Sequence, residues 1–398
     1  MAVNKFQNMI SENYGTLGFK DTSIGKMGIF SRGKGIKNEN LKNKGFPCIT
    51  YGQLYTKYGE TIGEINTFID EEIGKTSVLI EKGDILFTAS GETQEEIGKA
   101  SVFLCDFLCY AGGDIHILRP NKNYDSTYLA YLFNSHLYHE QRLKLGQGYS
   151  VVHIQSEHLG KIILPVPDMQ IQVKITHILS AWNKAIDKHQ SIINKLQIFK
   201  TSARDTLFAS NFEFPKYPLR DLLKKSTHFS GEDISEKYLE IGDIDISTNT
   251  YSLKDKKPVS GAKSANRGTI LVSTVRPTRG AIVILDENLK VSSALTQINI
   301  DENKASPYFV YAQLLTKKFL NQMGSLSSGS TYPTVSHDDV LSYKVVIPPK
   351  EIQEKQTLFL RAIDSAIKLR EDMVNKLIAQ KQGLMQQLLT GKIRVKVD

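Results

Sequence analysis

Residues 167–207 overlay residues 348–388 at a constant shift of 181, without a gap. The identical pairs are Pro167/Pro348, Ile171/Ile352, Gln172/Gln353, Lys174/Lys355, Thr176/Thr357, Leu179/Leu360 and Ala181/Ala362. They continue with Ala185/Ala366, Ile186/Ile367, Asn194/Asn375, Lys195/Lys376, Leu196/Leu377, Lys200/Lys381 and Leu207/Leu388. That is 14 of 41 positions, far above chance, and it marks an internal duplication. A chain that writes one segment twice is expected to fold one unit twice.

Upstream the match fades but persists. "GDILFTAS" (83–90) resembles "GTILVSTV" (268–275), "STYLAYLF" (126–133) resembles "SPYFVYAQLL" (306–315), and "ITYGQL" (49–54) resembles "LEIGDI" (239–244). These need shifts of 180 to 190, so insertions separate them. The order is variable domain, similar helix, variable domain, similar helix.

Helical periodicity follows Pro167 and Pro348, which close the strands "KIILPV" and "YKVVIP" because proline has no N–H for a ladder. In the first copy Ile175, Leu179, Trp182, Ile186, His189, Ile193 and Leu196 alternate spacings of four and three. In the second, Leu360, Ile363, Ile367, Arg370, Val374, Leu377, Lys381, Leu384 and Leu388 keep that rhythm. This is the seam of a coiled coil, and each segment predicts a helix of about 50–60 Å at 1.5 Å per residue. Gly391 is a C-terminal cap for the second. Two related amphipathic helices separated by a whole domain predict an antiparallel pair. His189 and Arg370 are equivalent polar seam positions; they either fix register or mark a place where the seam frays or meets another subunit.

The variable domains carry short β-like runs: "TSVLI", "GDILFTAS", "ASVFLC" and "DIHIL" in the first, "GTILVST", "GAIVIL" and "TQINI" in the second. One helical stretch is expected in each, near 126–143 and 306–323. The expected fold class is thus α/β (α+β): two small mixed domains joined by two long helices. Each domain then has a glycine-rich loop, "GQGYSVVHI" (146–154) and "SSGSTYPTV" (327–335). Such loops bring backbone N–H groups, a hydroxyl and an aromatic ring near a phosphate or a base edge, or they are simple turns. Tyr149, Ser150, Ser330, Thr331 and Tyr332 are the candidates. The loops "TASGETQEEIG" (88–98) and "STVRPTRG" (273–280) differ in length and charge, and Arg276 and Arg279 are candidates for guanine or phosphate contacts.

A net charge of +8 suits a polyanionic partner without requiring one. At 40% hydrophobic residues the chain has apolar material for more than one core. No apolar run is long enough for a membrane span, and the start lacks the layout of a secretory signal. Three cysteines without a C-x-x-C pair, Cys48, Cys105 and Cys109, read as free thiols of a reducing cytoplasm.

Several motifs resemble chemistry and fail. "GKTS" (74–77) has Ile69 where a phosphate-binding loop needs its first glycine, and "GETQEEIGKA" has the wrong spacing. "GKGIK" (33–37) lacks the third glycine of a dinucleotide loop. His136 and His139 lack further ligands at metal spacing, and "PDMQIQVK" (167–174) lies where the repeat demands a helix start. No Asn/Asp-Pro-Pro-aromatic string is present. No catalytic or metal residue is assigned.

The strings "VVIPPKEIQEKQTLFLRAIDSAI" (345–367), "ILPVPDMQIQVKITHILSAWNKAI" (163–186) and "QKQGLMQQLLTGKIRV" (380–395) resemble the specificity subunit of Type I restriction–modification systems. The resemblance covers nearly the whole chain. One departure is Asp168 and Met169 where the second copy has Pro349 and Lys350. Another is "FASNFEF" (208–214) in place of "LTGKIRV", which suggests that the first helix continues differently.

The resemblance implies target-recognition domains at 1–166 and 211–347, spacer helices at 167–210 and 348–391, and a tail at 392–398. Each domain would read one half of a split double-stranded DNA site, and the helices would set the gap. The partners implied are two methyltransferase (modification) subunits and two restriction subunits that translocate and cut DNA. S-adenosylmethionine, ATP and Mg²⁺ would belong to those partners, with no cofactor in this chain. The setting implied is the cytoplasm of a prokaryote. Helix pairing would rest on Leu179, Trp182, Ile186, Ile193, Leu196, Leu360, Ile363, Ile367, Val374, Leu377 and Leu384. A coiled-coil adaptor that binds proteins and no DNA is the alternative, and the missing motifs disfavour a stand-alone methyltransferase or nuclease.

Overall fold

The computed structural model describes residues 18–91, 93, 96–145, 152–209, 213–225, 237–329 and 332–396. The chain forms two compact units, one made of residues up to Lys188 with those from Val374 on, the other of His189–Met373.

The first unit is built on a five-stranded sheet in the order Gly28–Arg32, Ile115–Pro120, Ile85–Thr88, Ala100–Phe103, Thr61–Ile62. The two strands Ile85–Thr88 and Ala100–Phe103 are buried at every position, because both faces of the sheet are covered. Side chains alternate between the faces. Ile85, Phe87, Ala100, Val102 and Leu118 pack on helices α1 (Ser126–Leu132) and α2 (His136–Arg142). Leu86, Phe103, Ile115 and Ile117 pack with Leu54 of the short helix Tyr51–Thr56 and with Ile49 and Ile80 of a smaller sheet. In that sheet Cys109–Ala111 runs parallel to Phe46–Ile49 and antiparallel to Val78–Ile80.

The chain leaves this unit through α3 (Met169–Ala209). The second unit repeats the plan with fewer strands among the described residues. Ile270–Ser273 lies between Ile282–Ile284 and Leu295–Ile298. Ile270, Val272, Ile282 and Ile298 face α4 (Pro307–Leu314) and α5 (Lys317–Leu326). Leu271, Val283 and Leu295 face Leu239, Leu289 and Val291 of the small sheet. Leu289–Val291 is again parallel to one neighbour, Tyr238–Leu239, and antiparallel to the other, Lys263–Ala265. The last helix is α6 (Lys350–Leu389).

Each expected single helical stretch is two helices. The break has a local cause. Ser135 and Thr316 follow α1 and α4 and accept the backbone N–H of Tyr138 and Phe319, so each caps a new helix. The first helices are capped in the same way by Asp125 and Ser306.

The doubled hinge has a doubled mechanism. Ile163–Pro167 pairs antiparallel with Phe19–Ser23, and Lys344–Val346 with Lys216–Pro218. One turn into each long helix sits a buried glutamine, Gln172 or Gln353. Gln172 donates to the Pro167 carbonyl at 2.8 Å and accepts the Asp125 N–H at 2.9 Å. Gln353 donates to the Pro348 carbonyl at 2.9 Å and accepts the Ser306 N–H at 3.0 Å. Each glutamine therefore ties the incoming strand, the long helix and the cap of the α1 or α4 helix together.

The long helices run antiparallel. Within the second unit His189 meets Arg370, Phe199 meets Phe359, and Lys200 pairs with Asp364, so numbers rise on one helix as they fall on the other. Within the first unit Ile171, Ile175 and Leu179 share a cluster with Leu384, Met385 and Leu388. The seam is not a free-standing zipper. Leu179 and Leu384 belong to the apolar core of the first unit, and Leu360, Ile363 and Ile367 to that of the second. Ile193 and Val374 are buried, while Trp182, Ile186, Leu196 and Leu377 are half-buried. The repeat counterparts Lys200 and Lys381 are both paired, Lys381 with Glu60 at 2.6 Å. Among the described residues α3 runs to Ala209 and α6 to Leu389, within one residue of each other in the repeat register; residues 210–212 of "FASNFEF" lie outside the described residues. Gly391, at φ +70°, follows the second as its cap. Among the described residues no helix is long and apolar enough to cross a membrane.

Candidate nucleic-acid interface

In each copy a loop leaves the central strand of the larger sheet and returns along its neighbour. In the first copy this is residues 88–98. Its ends are tied: Gly98 N–H donates to the Thr88 carbonyl at 2.6 Å, and Thr88 Oγ1 to the Glu96 carbonyl at 2.6 Å. α2 supports it from behind, with Tyr138 Oη donating to the Gly98 carbonyl at 2.7 Å and the buried Arg142 guanidinium donating to the Ile97 carbonyl. Gly98 has φ +66°, and a Cβ there would lie 2.7 Å from Arg142 Cδ. Glycine is needed for both the backbone and the space.

The end of the glycine-rich loop then adds to this loop. Val152–His153 pairs antiparallel with Ser90–Gly91, and Ile154 N–H donates to the Ala89 carbonyl at 3.0 Å. Ser90 Oγ lies 2.8 Å from His153 Nδ1. Beneath them His116 Nε2 donates to the Ile154 carbonyl at 2.8 Å. Its Nδ1 is buried without a partner among the described residues, and burial holds the imidazole below its usual range. In the neutral ring the proton sits on Nε2, because the carbonyl can only accept.

The second copy repeats the arrangement with different side chains. Val275 bridges Thr334, Val335 N–H donates to the Thr274 carbonyl at 3.0 Å, and Arg276 N–H to the Pro333 carbonyl at 2.7 Å. Asn249 Nδ2 donates to the Gly280 carbonyl at 2.8 Å and to that of Ile282 at 3.2 Å. α5 again lies behind: Thr278 packs so closely on Gly324 that a Cβ there would be 2.7 Å from Thr278 Cγ2. The Arg276 guanidinium sits 4.7 Å from the centroid of Tyr332, a ring 64% exposed. Arg279 is exposed.

The two kinds of loop singled out from sequence are thus hydrogen-bonded to each other in both copies. Arg276 and Tyr332 meet, and Arg279 lies three residues on from Arg276. Tyr149, Ser150, Ser330 and Thr331 lie outside the described residues. Sequence reasoning missed Ser90, His116 and His153, whose proximity depends on the pairing of strands 63 residues apart. Of the histidines weighed as ligands, His136 pairs with Glu140 at 3.3 Å and His139 faces Arg142. Among the described residues no group of three or more His, Cys, Asp or Glu is placed to hold a metal ion.

Two diverged copies of one mixed α/β domain, each delivering the chain into a helix of 41 or 40 residues, define a tandemly duplicated two-domain protein. Residues 17–197 and 213–379 match the family model of the Type I restriction modification DNA specificity domain. Two proteins of Methanocaldococcus jannaschii are similar along most of their length. The putative type I restriction enzyme MjaX specificity subunit is 26% identical over 363 residues, 84% of each chain. The type I restriction enzyme MjaVIII specificity subunit is 23% identical over 384 residues, 87% of each. The S subunit of a Type-I restriction–modification system from M. genitalium shares the fold, with a TM-score of 0.51 at 15% identity over 94% of this chain and 96% of that one. The chain belongs to the Type I restriction–modification specificity family.

Proposed function

We propose that this chain is the non-catalytic DNA-reading subunit of a Type I restriction–modification complex, and that each domain reads one half of a split site. The observation that carries this is the paired loop. Both copies join a hairpin loop to a glycine-rich loop at one place on the fold, yet fill that place with different side chains. A shared platform with exchanged side chains suits two half-sites of different sequence.

The recognition domains are residues 1–166 and 211–347, and the helices 167–210 and 348–391 set the gap between halves. The outer helix faces dock two modification subunits, and two restriction subunits complete the nuclease. In the second unit Ile198, Phe199, Leu358 and Phe359 are large apolar side chains left exposed on the helices, which supports docking of a protein there. S-adenosylmethionine, ATP and Mg²⁺ act in the partners.

The test is to co-express the full chain with its modification subunits in a methylation-free host and map the methylated bases. The expected result is a split motif with two specified parts and a fixed gap, and salt-dependent DNA affinity of the purified complex. A contiguous motif would contradict the two-domain reading. Salt-independent or absent DNA binding would favour a protein adaptor instead.

A further inference from the structure

Three described residues other than glycine have a positive φ: Asp114, Asn249 and Arg276. The first two are the types that tolerate it, and each has local work. Asp114 pairs with Arg32, and Asn249 holds the Gly280 carbonyl of the second loop and the Ile282 carbonyl of the strand after it. Arg276, at φ +48° and ψ +55°, has no such excuse. Glycine would serve the backbone with less strain. Strained backbone of this kind collects where a side chain is held for recognition.

The surroundings fix it. The Arg276 N–H is bound to Pro333, and the buried Pro277 follows. The guanidinium lies over Tyr332, and no carboxylate pairs with Arg276 or Arg279 among the described residues. Stacking uses the face of the guanidinium and leaves its in-plane N–H groups free. The first domain differs at the matching place. The backbone bonds Ile154→Ala89 and Val335→Thr274 align Gly91 with Arg276, and a Cβ on Gly91 would lie 2.8 Å from Glu96 Cβ. The first domain has no room for a side chain there; the second projects a fork that no carboxylate of the described residues pairs.

We infer that Arg276 reads a guanine in the half-site of the second domain, with its fork held in position over Tyr332. The inference rests on the DNA-reading function proposed above. The two parallel N–H groups match the O6 and N7 acceptors of guanine in the major groove, a geometry lysine does not reproduce. Holding the side chain on a ring before binding lowers the entropy lost when the contact forms. A phosphate contact by the same residue would carry no base information.

The experiment compares methylation maps for the full chain, assembled with its modification subunits, in the wild type and in Arg276→Gly, Arg276→Lys and Tyr332→Leu. Arg276→Gly relieves the left-handed strain, so its melting temperature should match or exceed the wild type. Its motif should degenerate at one guanine of one half-site, with preference there falling about ten- to hundredfold, while every other position holds. Arg276→Lys should fail to restore that guanine, and Tyr332→Leu should weaken it. An unchanged motif in Arg276→Gly overturns the inference. So does a uniform loss of methylation with the motif intact, which marks a phosphate contact. If Arg276→Gly does not fold, the same two outcomes are read from Arg276→Lys. A wild-type chain that specifies no split motif overturns the proposed function as well, so the two failures are distinct.

Discussion

Arg370 Nη1 lies 3.2 Å from His189 Nδ1, and the two residues are 181 apart, which is the repeat shift itself. Each is the counterpart of the other. Two related helices packed antiparallel have one place where a position meets its own counterpart, and this chain puts a donor and an acceptor there. Arginine only donates, so His189 accepts on Nδ1. The contact supports the register role over the frayed seam. Substituting His189→Arg alone should set two guanidinium groups against each other and cost about 0.5–1 kcal/mol. The exchange His189→Arg with Arg370→His should recover most of it. A double-mutant cycle by urea unfolding measures the coupling, and simple additivity would contradict a register pair.

Gln172→Leu and Gln353→Leu should each destabilise the protein. Either change takes a partner from a buried carbonyl and from a half-buried N–H, at about 1–3 kcal/mol for the buried group. Because the two hinges make the same bonds, the two losses should be similar, as read from denaturant midpoints.

His116 gives a pH signature. The unfolded ring takes a proton near pH 6.5, while burial keeps the folded ring neutral to lower pH. Below about pH 6.5 the unfolded state therefore binds more protons, and stability falls as pH falls. His116→Gln removes this proton uptake. The stability gap between wild type and variant should narrow between about pH 8 and about pH 5. A constant gap would mean that the ring charges freely in the folded state.

The thiols report global opening. Cys48, Cys105 and Cys109 are all buried, and burial pushes the Cys48 thiol up to about 11 and raises the other two. None should react with iodoacetamide in the native protein at neutral pH, and all three should react in urea.

The repeat at 167–207 and 348–388 was legible because both long helices keep a seam and a glutamine staple, which leave identical residues at fixed spacing. The short strands of the small sheets were not. Tyr238–Leu239 and Lys263–Ala265 have two and three residues, too few for a period to emerge, and their partners are distant in sequence. The split into α1 and α2 was hidden in Ser135, a single hydroxyl whose capping role needs the fold to be seen. Arg276 was visible as a charge in a loop, but its left-handed backbone and the ring beneath it come from a strand bridge that no local pattern encodes.

The most direct measurement exchanges residues 25–160 for the matching domain of another specificity subunit and maps methylation by the reassembled complex. The account expects one half of the motif to change while the other half and the gap stay fixed. A motif that changes in both halves, or in neither, would contradict it.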